Sequence, residues 1–228
     1  MKKLGFTLAE VLLTLAIIGV VAALTIPAVI TKVTQDQYVV ALKKAYNTLK
    51  AVERESIQEN GEPELWTRKT NLKDDFDTYF KPYFDVLKDC GTDTDDGCFL
   101  GANKYKTLAG ADWATNINSA TYARIITSDG IAYAYSRGAA ALSDTNHLFG
   151  TFIVDVNGTK LPNKWGRDLF QFDVFNTTLG VKPHGSYDAE GTSIPSATVT
   201  GAGTEACTVA TVGQFCAARV LAEGAMNY

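Results

Sequence analysis

The sequence predicts an α+β protein in which one long N-terminal helix precedes an antiparallel β-meander. An uncharged apolar run of 21 residues lies between Glu10 and Lys32. As a helix this run would extend about 31 Å, which is enough to cross a bilayer. An amphipathic pattern follows without a break, and alternating apolar segments occupy the middle of the chain. These observations predict a membrane-spanning half-helix, its continuation into a head, and a sheet within that head.

Glu10 stands at the start of the apolar run, where a membrane span ordinarily excludes a carboxylate. The nearest cations in the chain are the N-terminus, Lys2 and Lys3, which lie on the other side of Gly5. Cleavage between Gly5 and Phe6 would create a new ammonium group four residues from Glu10. In a helical assembly, Glu10 of one subunit would then pair with this ammonium group on the next subunit.

The leader Met-Lys-Lys-Leu-Gly, the following Phe-Thr-Leu-Ala-Glu and the apolar segment with Pro27 resemble the class III signal of type IV pilins and type II secretion pseudopilins. This resemblance implies cleavage after Gly5 by a dedicated inner-membrane peptidase and N-methylation of Phe6. It also implies an assembly role for Glu10 and a helix bend at Pro27. A secretory signal peptide or an uncleaved anchor is the alternative, but a signal peptide predicts a shorter core without an acid.

The first helix is expected to continue from about Thr7 to Glu59, because apolar residues recur at three- and four-residue steps. Asn60-Gly61 then supplies a stop signal. The predicted organisation is a leader over residues 1–5, a long helix over residues 6–60 with its membrane and assembly half at 6–31, and a head over residues 61–228.

The head is predicted to contain four antiparallel strands, with a hairpin turn at Ser128-Asp129-Gly130. The buried face of this meander would pack on the second half of the long helix, and the pilin resemblance implies the same roll. A short helix is predicted over residues 76–87, although Pro82 fits it poorly. A second helix is predicted over residues 216–223, and a mobile surface loop is predicted over residues 182–203. The predicted strands are 122–127, 131–135, 149–154 and 169–175.

Four cysteines form two close pairs, Cys90 with Cys98 and Cys207 with Cys216. An even number of cysteines in a chain whose body lies outside the cytoplasm indicates disulfides, so two local bridges are favoured. The second bridge resembles the stapled C-terminal loop of many pilins. Zinc is the alternative, but neither spacing is C-x2-C and no histidine lies close to either pair in sequence.

Asp155, Asn157 and Asp168 are candidate Ca2+ ligands. The segment that contains them resembles a loop common in bacterial pilin-like proteins, and the major pseudopilins carry calcium in a C-terminal loop. Their side chains offer the hard oxygen atoms that Ca2+ prefers. The alternative is that the two aspartates cap turns and pair with nearby basic side chains. A separate calcium loop over residues 92–96 lacks the glutamate that closes an EF-hand, so a solvated loop is favoured there. No other cofactor is expected.

The function predicted is structural. The sequence has no glycine-rich phosphate loop, nucleophile elbow or H-E-x-x-H pair, so no enzyme is predicted. The net charge of −4 argues against a general nucleic-acid-binding surface. The leading hypothesis is a subunit of a type IV pilus or a type II secretion pseudopilus. It would be processed by prepilin peptidase and polymerised with identical or homologous subunits at an inner-membrane assembly platform.

Such a subunit would begin as a single-pass inner-membrane protein with its head outside the cytoplasm, and it would end in a filament. The alternative hypothesis is a minor pilin whose head binds a surface, a glycan or DNA.

Overall fold

The computed structural model describes residues 5, 7–93, 97–138, 146–201, 203 and 205–228. The chain divides into two compact units, residues 1–37 and residues 38–228. The α-helices in the described residues are α1 (Leu8–Asn60), α2 (Leu72–Tyr79), α3 (Ser196–Thr200) and α4 (Cys216–Glu223), with short 3-10 turns at Pro63–Leu65 and Lys81–Tyr83. The strands are β1 (Val86–Gly91), β2 (Ala123–Thr127), β3 (Ala132–Arg137), β4 (Leu148–Asp155), β5 (Leu169–Phe175) and β6 (Val181–Pro183).

The first unit contains the N-terminal part of α1, whose apolar side chains are exposed. Leu8, two residues before Glu10, is 78% exposed, and Leu24, within the uncharged apolar run, is 75% exposed. This helix is the one stretch in the described residues that is long and apolar enough to cross a membrane. Pro27 lies inside the helix, where it cannot donate the backbone hydrogen bond that the Ala23 carbonyl would otherwise accept.

The sheet in the second unit is antiparallel throughout, and its strands are arranged in chain order from β1 to β6. The predicted turn between β2 and β3 is confirmed. Gly130 has a positive φ of 83°, and its N–H donates to the carbonyl of Thr127 over 2.8 Å. Glycine adopts this left-handed conformation without the steric cost that a side chain would add.

One face of the sheet packs on the second part of α1. The buried residues of this helical face recur every three or four positions, and Leu42, Leu49 and Val52 are at most 1% exposed. They share one core with alternate residues of the strands, including Tyr133 and Phe172. This packing buries the apolar stripe that gives the second half of the helix its amphipathic pattern.

The other face of the sheet is covered by the irregular segment between β1 and β2. Ala132, Ala134 and Ile153 alternate with residues of the first core, and they pack instead with Phe99 and Trp165 among others. Because successive strand residues point to opposite faces, covering both faces buries nearly every residue of the central strands. The alternating pattern of the strands predicted only the helix-covered face.

The predicted α+β fold, with a long helix, an antiparallel sheet and a disulfide near the C-terminus, is confirmed. The helix predicted over residues 76–87 is wrong beyond Tyr79, because the chain turns at Pro82 and enters β1. Leu87 is 70% exposed on that strand. The loop predicted over residues 182–203 contains the end of β6 and the short helix α3.

Candidate processing, assembly and calcium sites

The start of α1 is held by reciprocal hydrogen bonds between Thr7 and Glu10. The Thr7 N–H and its hydroxyl each donate to Oε2 of Glu10 over 2.8 Å, and the Glu10 N–H donates to Oγ1 of Thr7 over 3.3 Å. This arrangement is a capping box, in which the two side chains satisfy backbone N–H groups that have no partner within the helix. The Glu10 carboxylate therefore lies at the positive end of the helix dipole, exposed at the chain's surface.

Gly5 is exposed, and a Cβ atom built on it would meet no heavy atom within 4 Å. Nothing in its described surroundings requires glycine for packing. Phe6, the predicted methylated residue, lies outside the described residues. The structure therefore places Gly5 and Glu10 at the beginning of the exposed apolar helix, together with Thr7, which sequence analysis did not select.

The comparisons with known proteins concern this same segment. The prokaryotic N-terminal methylation motif matches residues 1–26, a stretch that includes Gly5 and Glu10. The chain carries the type IV pilin and pseudopilin signature. No curated protein and no solved structure matches the chain. The pilin-type motif and the long apolar helix together fit a membrane-anchored precursor.

The predicted calcium ligands lie at the end of β4, where Asp155 is the last strand residue, and in the following loop, which contains Asn157 and Asp168. Asp155 and Asp168 are 1% and 0% exposed. The Asp168 carboxylate accepts the N–H of Asn163 over 2.7 Å and the N–H of Lys164 over 2.6 Å. The Asp155 carboxylate accepts the N–H of Asn157 over 3.2 Å. Both aspartates therefore hold turns of this loop by accepting backbone hydrogen bonds, as the turn-capping alternative predicts.

One tyrosine is hydrogen-bonded to a carboxylate of this site, and a second is hydrogen-bonded to Asn157. The Tyr105 hydroxyl donates to Oδ2 of Asp155 over 3.2 Å. The side-chain amide of Asn157 donates to the Tyr38 hydroxyl and to the Leu161 carbonyl, both over 3.2 Å. Tyr38 lies on α1, so this network ties the loop to the helix within the second unit.

Burial disfavours the charged form of both carboxylates. It raises the pKa of Asp155 well above the usual range, and the nearby charge of Asp168 raises it further. Burial also raises the pKa of Asp168 to about 6, although the N–H donors of Lys164 and Asn163 act in the opposite direction. Two acids in one buried site therefore oppose each other's ionisation, and a bound cation or proton would relieve this repulsion.

The donor atoms are of the type that Ca2+ accepts, but they are few. Oδ1 of Asn157 is buried and has no hydrogen-bond partner among the described residues, so this oxygen remains available beside the two aspartates. Within the described part of the chain, no group of three or more His, Cys, Asp or Glu side chains is placed to hold a metal. A calcium ion here would therefore need amide, carbonyl or water oxygens as well.

Both cysteine pairs are disulfide-bonded, with Cα–Cα distances of 6.3 Å for Cys90–Cys98 and 4.8 Å for Cys207–Cys216. Residues 94–96 of the first stapled loop, which include Asp95 and Asp96 of the segment considered for an EF-hand-like site, lie outside the described residues. The second bond lies against the β4–β5 loop, because a Cβ atom on Gly166 would approach Sγ of Cys216 to 2.8 Å.

The roles of Thr7, Tyr38 and Tyr105 were not predicted from the sequence. A signal for Thr7 was available, because threonine followed three residues later by glutamate before an apolar run is the capping-box pattern. No comparable pattern marks the tyrosines. Their hydroxyls reach the β4–β5 loop through tertiary packing, and their sequence separations from it exceed any local motif.

Proposed function

We propose that this chain is a structural subunit of a type IV pilus or a type II secretion pseudopilus. It is made as an inner-membrane precursor whose leader, residues 1–5, is removed by prepilin peptidase. The helix then polymerises through its membrane and assembly half, residues 6–31, while residues 61–228 form the head outside the cytoplasm. The observation that carries the proposal is the Glu10 carboxylate at the start of an uncharged apolar run, within the matched methylation motif.

The surroundings of Gly5 support processing at that residue. A Cβ atom at this position would meet no heavy atom within 4 Å, so the described surroundings of Gly5 supply no packing reason for glycine. A requirement for glycine then comes from the cleft of the peptidase that accepts this segment. Gly5→Val is expected to leave the leader attached without disturbing the head.

The capping box supports a separate role for Glu10 before and during assembly. In the isolated subunit the carboxylate is bound by Thr7 of its own chain. In a filament, the helix is surrounded by other apolar helices, and a buried carboxylate needs a charged partner. The ammonium group at Phe6 of a neighbouring subunit supplies that partner and fixes the axial stagger, because other staggers leave both charges unpaired.

Replacing Glu10 with valine tests the assembly role. Glu10→Val makes the helix more apolar, so membrane insertion and head folding should persist while filament formation fails in cells that express only the variant. Thr14→Val is the matched control, because it removes a hydroxyl that donates to the Val11 carbonyl on the same helix and leaves Glu10 intact. Filaments of normal number and length with Glu10→Val would disprove the charge-pairing mechanism.

A calcium ion bound by Asp155, Asn157 and Asp168 is the second part of the proposal. Two observations support it, namely the mutual opposition of two buried carboxylates and the unpartnered Oδ1 atom of Asn157. When bound, the ion would supply the positive charge that allows both aspartates to ionise. These residues would then hold the β4–β5 loop both through their backbone hydrogen bonds and through the ion.

A further inference from the structure

A cleft in the head lies between α3 and α4. It is lined by residues from the segments 185–187, 193–200 and 218–223, and its volume is about 340 Å³. We refer to it as the α3–α4 cleft. Small-molecule sites typically have volumes of about 300–1,000 Å³, so the cleft is large enough for a mono- or disaccharide. All of its lining residues belong to the second unit.

Hydroxyl groups dominate the polar lining of the cleft. Ser186, Tyr187, Ser193 and Ser196 line it, and none of their hydroxyls donates to or accepts from another residue in the described part of the chain. Each hydroxyl can act as both donor and acceptor. The cleft therefore presents four uncommitted hydrogen-bonding groups beside the apolar side chains of Val199 and others.

The charged residues of the cleft neutralise each other. Nε of Arg219 donates to Glu223 over 2.8 Å, and its other two nitrogens donate to the carbonyls of Cys207 and Asn227 over 2.6 and 2.9 Å. The Glu223 carboxylate also accepts from the side-chain amide of Asn227 over 3.0 Å. An anionic or cationic ligand would have to break these contacts, whereas a neutral ligand would not.

An aromatic ring adds a further feature suited to a carbohydrate. Tyr187 lies at the cleft with its ring 6.3 Å from that of Phe175 and 5.8 Å from Nζ of Lys182. These neighbours hold the ring in place, so its hydroxyl is positioned without a hydrogen bond of its own. A sugar combines many hydroxyls with apolar C–H faces, which matches a lining of hydroxyls, small apolar side chains and one aromatic ring.

We propose that the α3–α4 cleft binds a neutral sugar, with the hydroxyls of Ser186, Tyr187, Ser193 and Ser196 as hydrogen-bonding groups. The proposal concerns the head alone and does not depend on filament assembly. It would hold for a filament subunit or for a protein that never polymerises, so its failure and the failure of the filament role are distinguishable.

Saturation-transfer NMR on the full chain tests the proposal, with glucose, galactose, N-acetylglucosamine, maltose and lactose as probes. The protein should be kept in a detergent without a sugar headgroup, because a maltoside detergent would compete for the cleft. At least one of these sugars is expected to receive saturation from the protein. Addition of a maltoside should reduce this transfer, because its sugar headgroup would compete for the cleft. Absence of transfer to all five sugars would overturn the proposal, as would tighter binding of inorganic phosphate than of any of them.

Three variants locate the binding. Tyr187→Phe removes one hydroxyl and keeps the ring, and it should weaken the sugar that binds by about 2- to 10-fold, the range for one neutral hydrogen bond. Ala222→Leu fills the cleft and should abolish binding, whereas Ala197→Leu is the control because Ala197 is exposed on α3 and is not among the lining residues. Equal affinity in Ala222→Leu and Ala197→Leu would overturn the assignment to this cleft.

Discussion

Replacing Gly180 with alanine should weaken the contact between α1 and the turn that joins β5 to β6. Gly180 has a φ of +60°, and a Cβ atom there would lie 1.5 Å from Oε1 of Glu53. Glu53 is on α1, is 5% exposed, and accepts the N–H of Val181 over 3.1 Å. The new methyl group would therefore displace the carboxylate that joins the helix to β6.

The expected cost has two parts. A non-glycine residue in the left-handed region costs about 1–2 kcal/mol, and a buried N–H left without an acceptor costs about 1–3 kcal/mol. Gly180→Ala should therefore lower the free energy of unfolding of the head by about 2–5 kcal/mol. Gly130→Ala is the matched control, because Gly130 also has a positive φ but no heavy atom within 4 Å of its Cβ position. It should cost only about 1–2 kcal/mol.

Urea denaturation followed by tryptophan fluorescence measures these changes, because all three tryptophans lie in the head. A double-mutant cycle with Glu53→Ala isolates the contact. Without the Glu53 carboxylate, Gly180→Ala should cost only the backbone part, about 1–2 kcal/mol. If Gly180→Ala lowers the free energy of unfolding by the same amount with and without the Glu53 carboxylate, the new methyl group does not act by displacing that carboxylate.

Three further predictions concern the C-terminal disulfide and the buried aspartates. Replacing Cys207 and Cys216 together with serine should lower the free energy of unfolding by about 2–3 kcal/mol, because the closed loop no longer restrains the unfolded chain; unchanged urea midpoints would contradict this. In chelator, stability should fall as pH rises from about 4 to about 7. Burial raises the pKa of Asp168 from 3.8 to about 6, so the folded state binds more protons over this range than the unfolded state does, and the difference corresponds to about 3 kcal/mol. Asp168→Asn should flatten the profile. A wild-type stability that rises or stays constant over this range would disprove the burial argument. Saturating Ca2+ should raise the melting temperature at pH 7, because a hundredfold excess over Kd contributes about 2.7 kcal/mol to the free energy of unfolding. Asp168→Ala should abolish this shift. Equal melting temperatures in Ca2+ and in chelator would leave Asp155 and Asp168 only their turn-capping role.

Elements with strong periodicity and clear stop signals were predictable from the sequence. The first helix ends at Asn60, within one residue of the predicted end, because Asn60-Gly61 supplies a stop signal that local chemistry alone specifies. The same is true of α4, which runs from Cys216 to Glu223 and ends at Gly224 in the left-handed conformation. In both helices, the apolar spacing and the stop residue point to one structure.

Elements that depend on distant contacts were not predictable. β1 has the burial pattern of an edge strand with three consecutive exposed residues, so its sequence does not alternate and its pairing depends on β2. The irregular segment between β1 and β2 buries Phe99 and Tyr105 against the second face of the sheet, although no periodicity marks it. The β4–β5 aspartates were identifiable as oxygen donors, but their burial, which controls their ionisation, depends on that same tertiary packing.

Mass spectrometry of the mature N-terminus tests the central claim most directly. The protein should be extracted from membranes or sheared filaments of cells that contain prepilin peptidase, and its N-terminal peptide sequenced intact. The wild-type chain is expected to begin at Phe6 and to carry one additional methyl group on its amino nitrogen, whereas the Gly5→Val variant is expected to keep Met1 as its first residue. A wild-type protein that retains Met1, or one that begins near Leu24 as a secretory signal peptide would leave it, would contradict the pilin-type role.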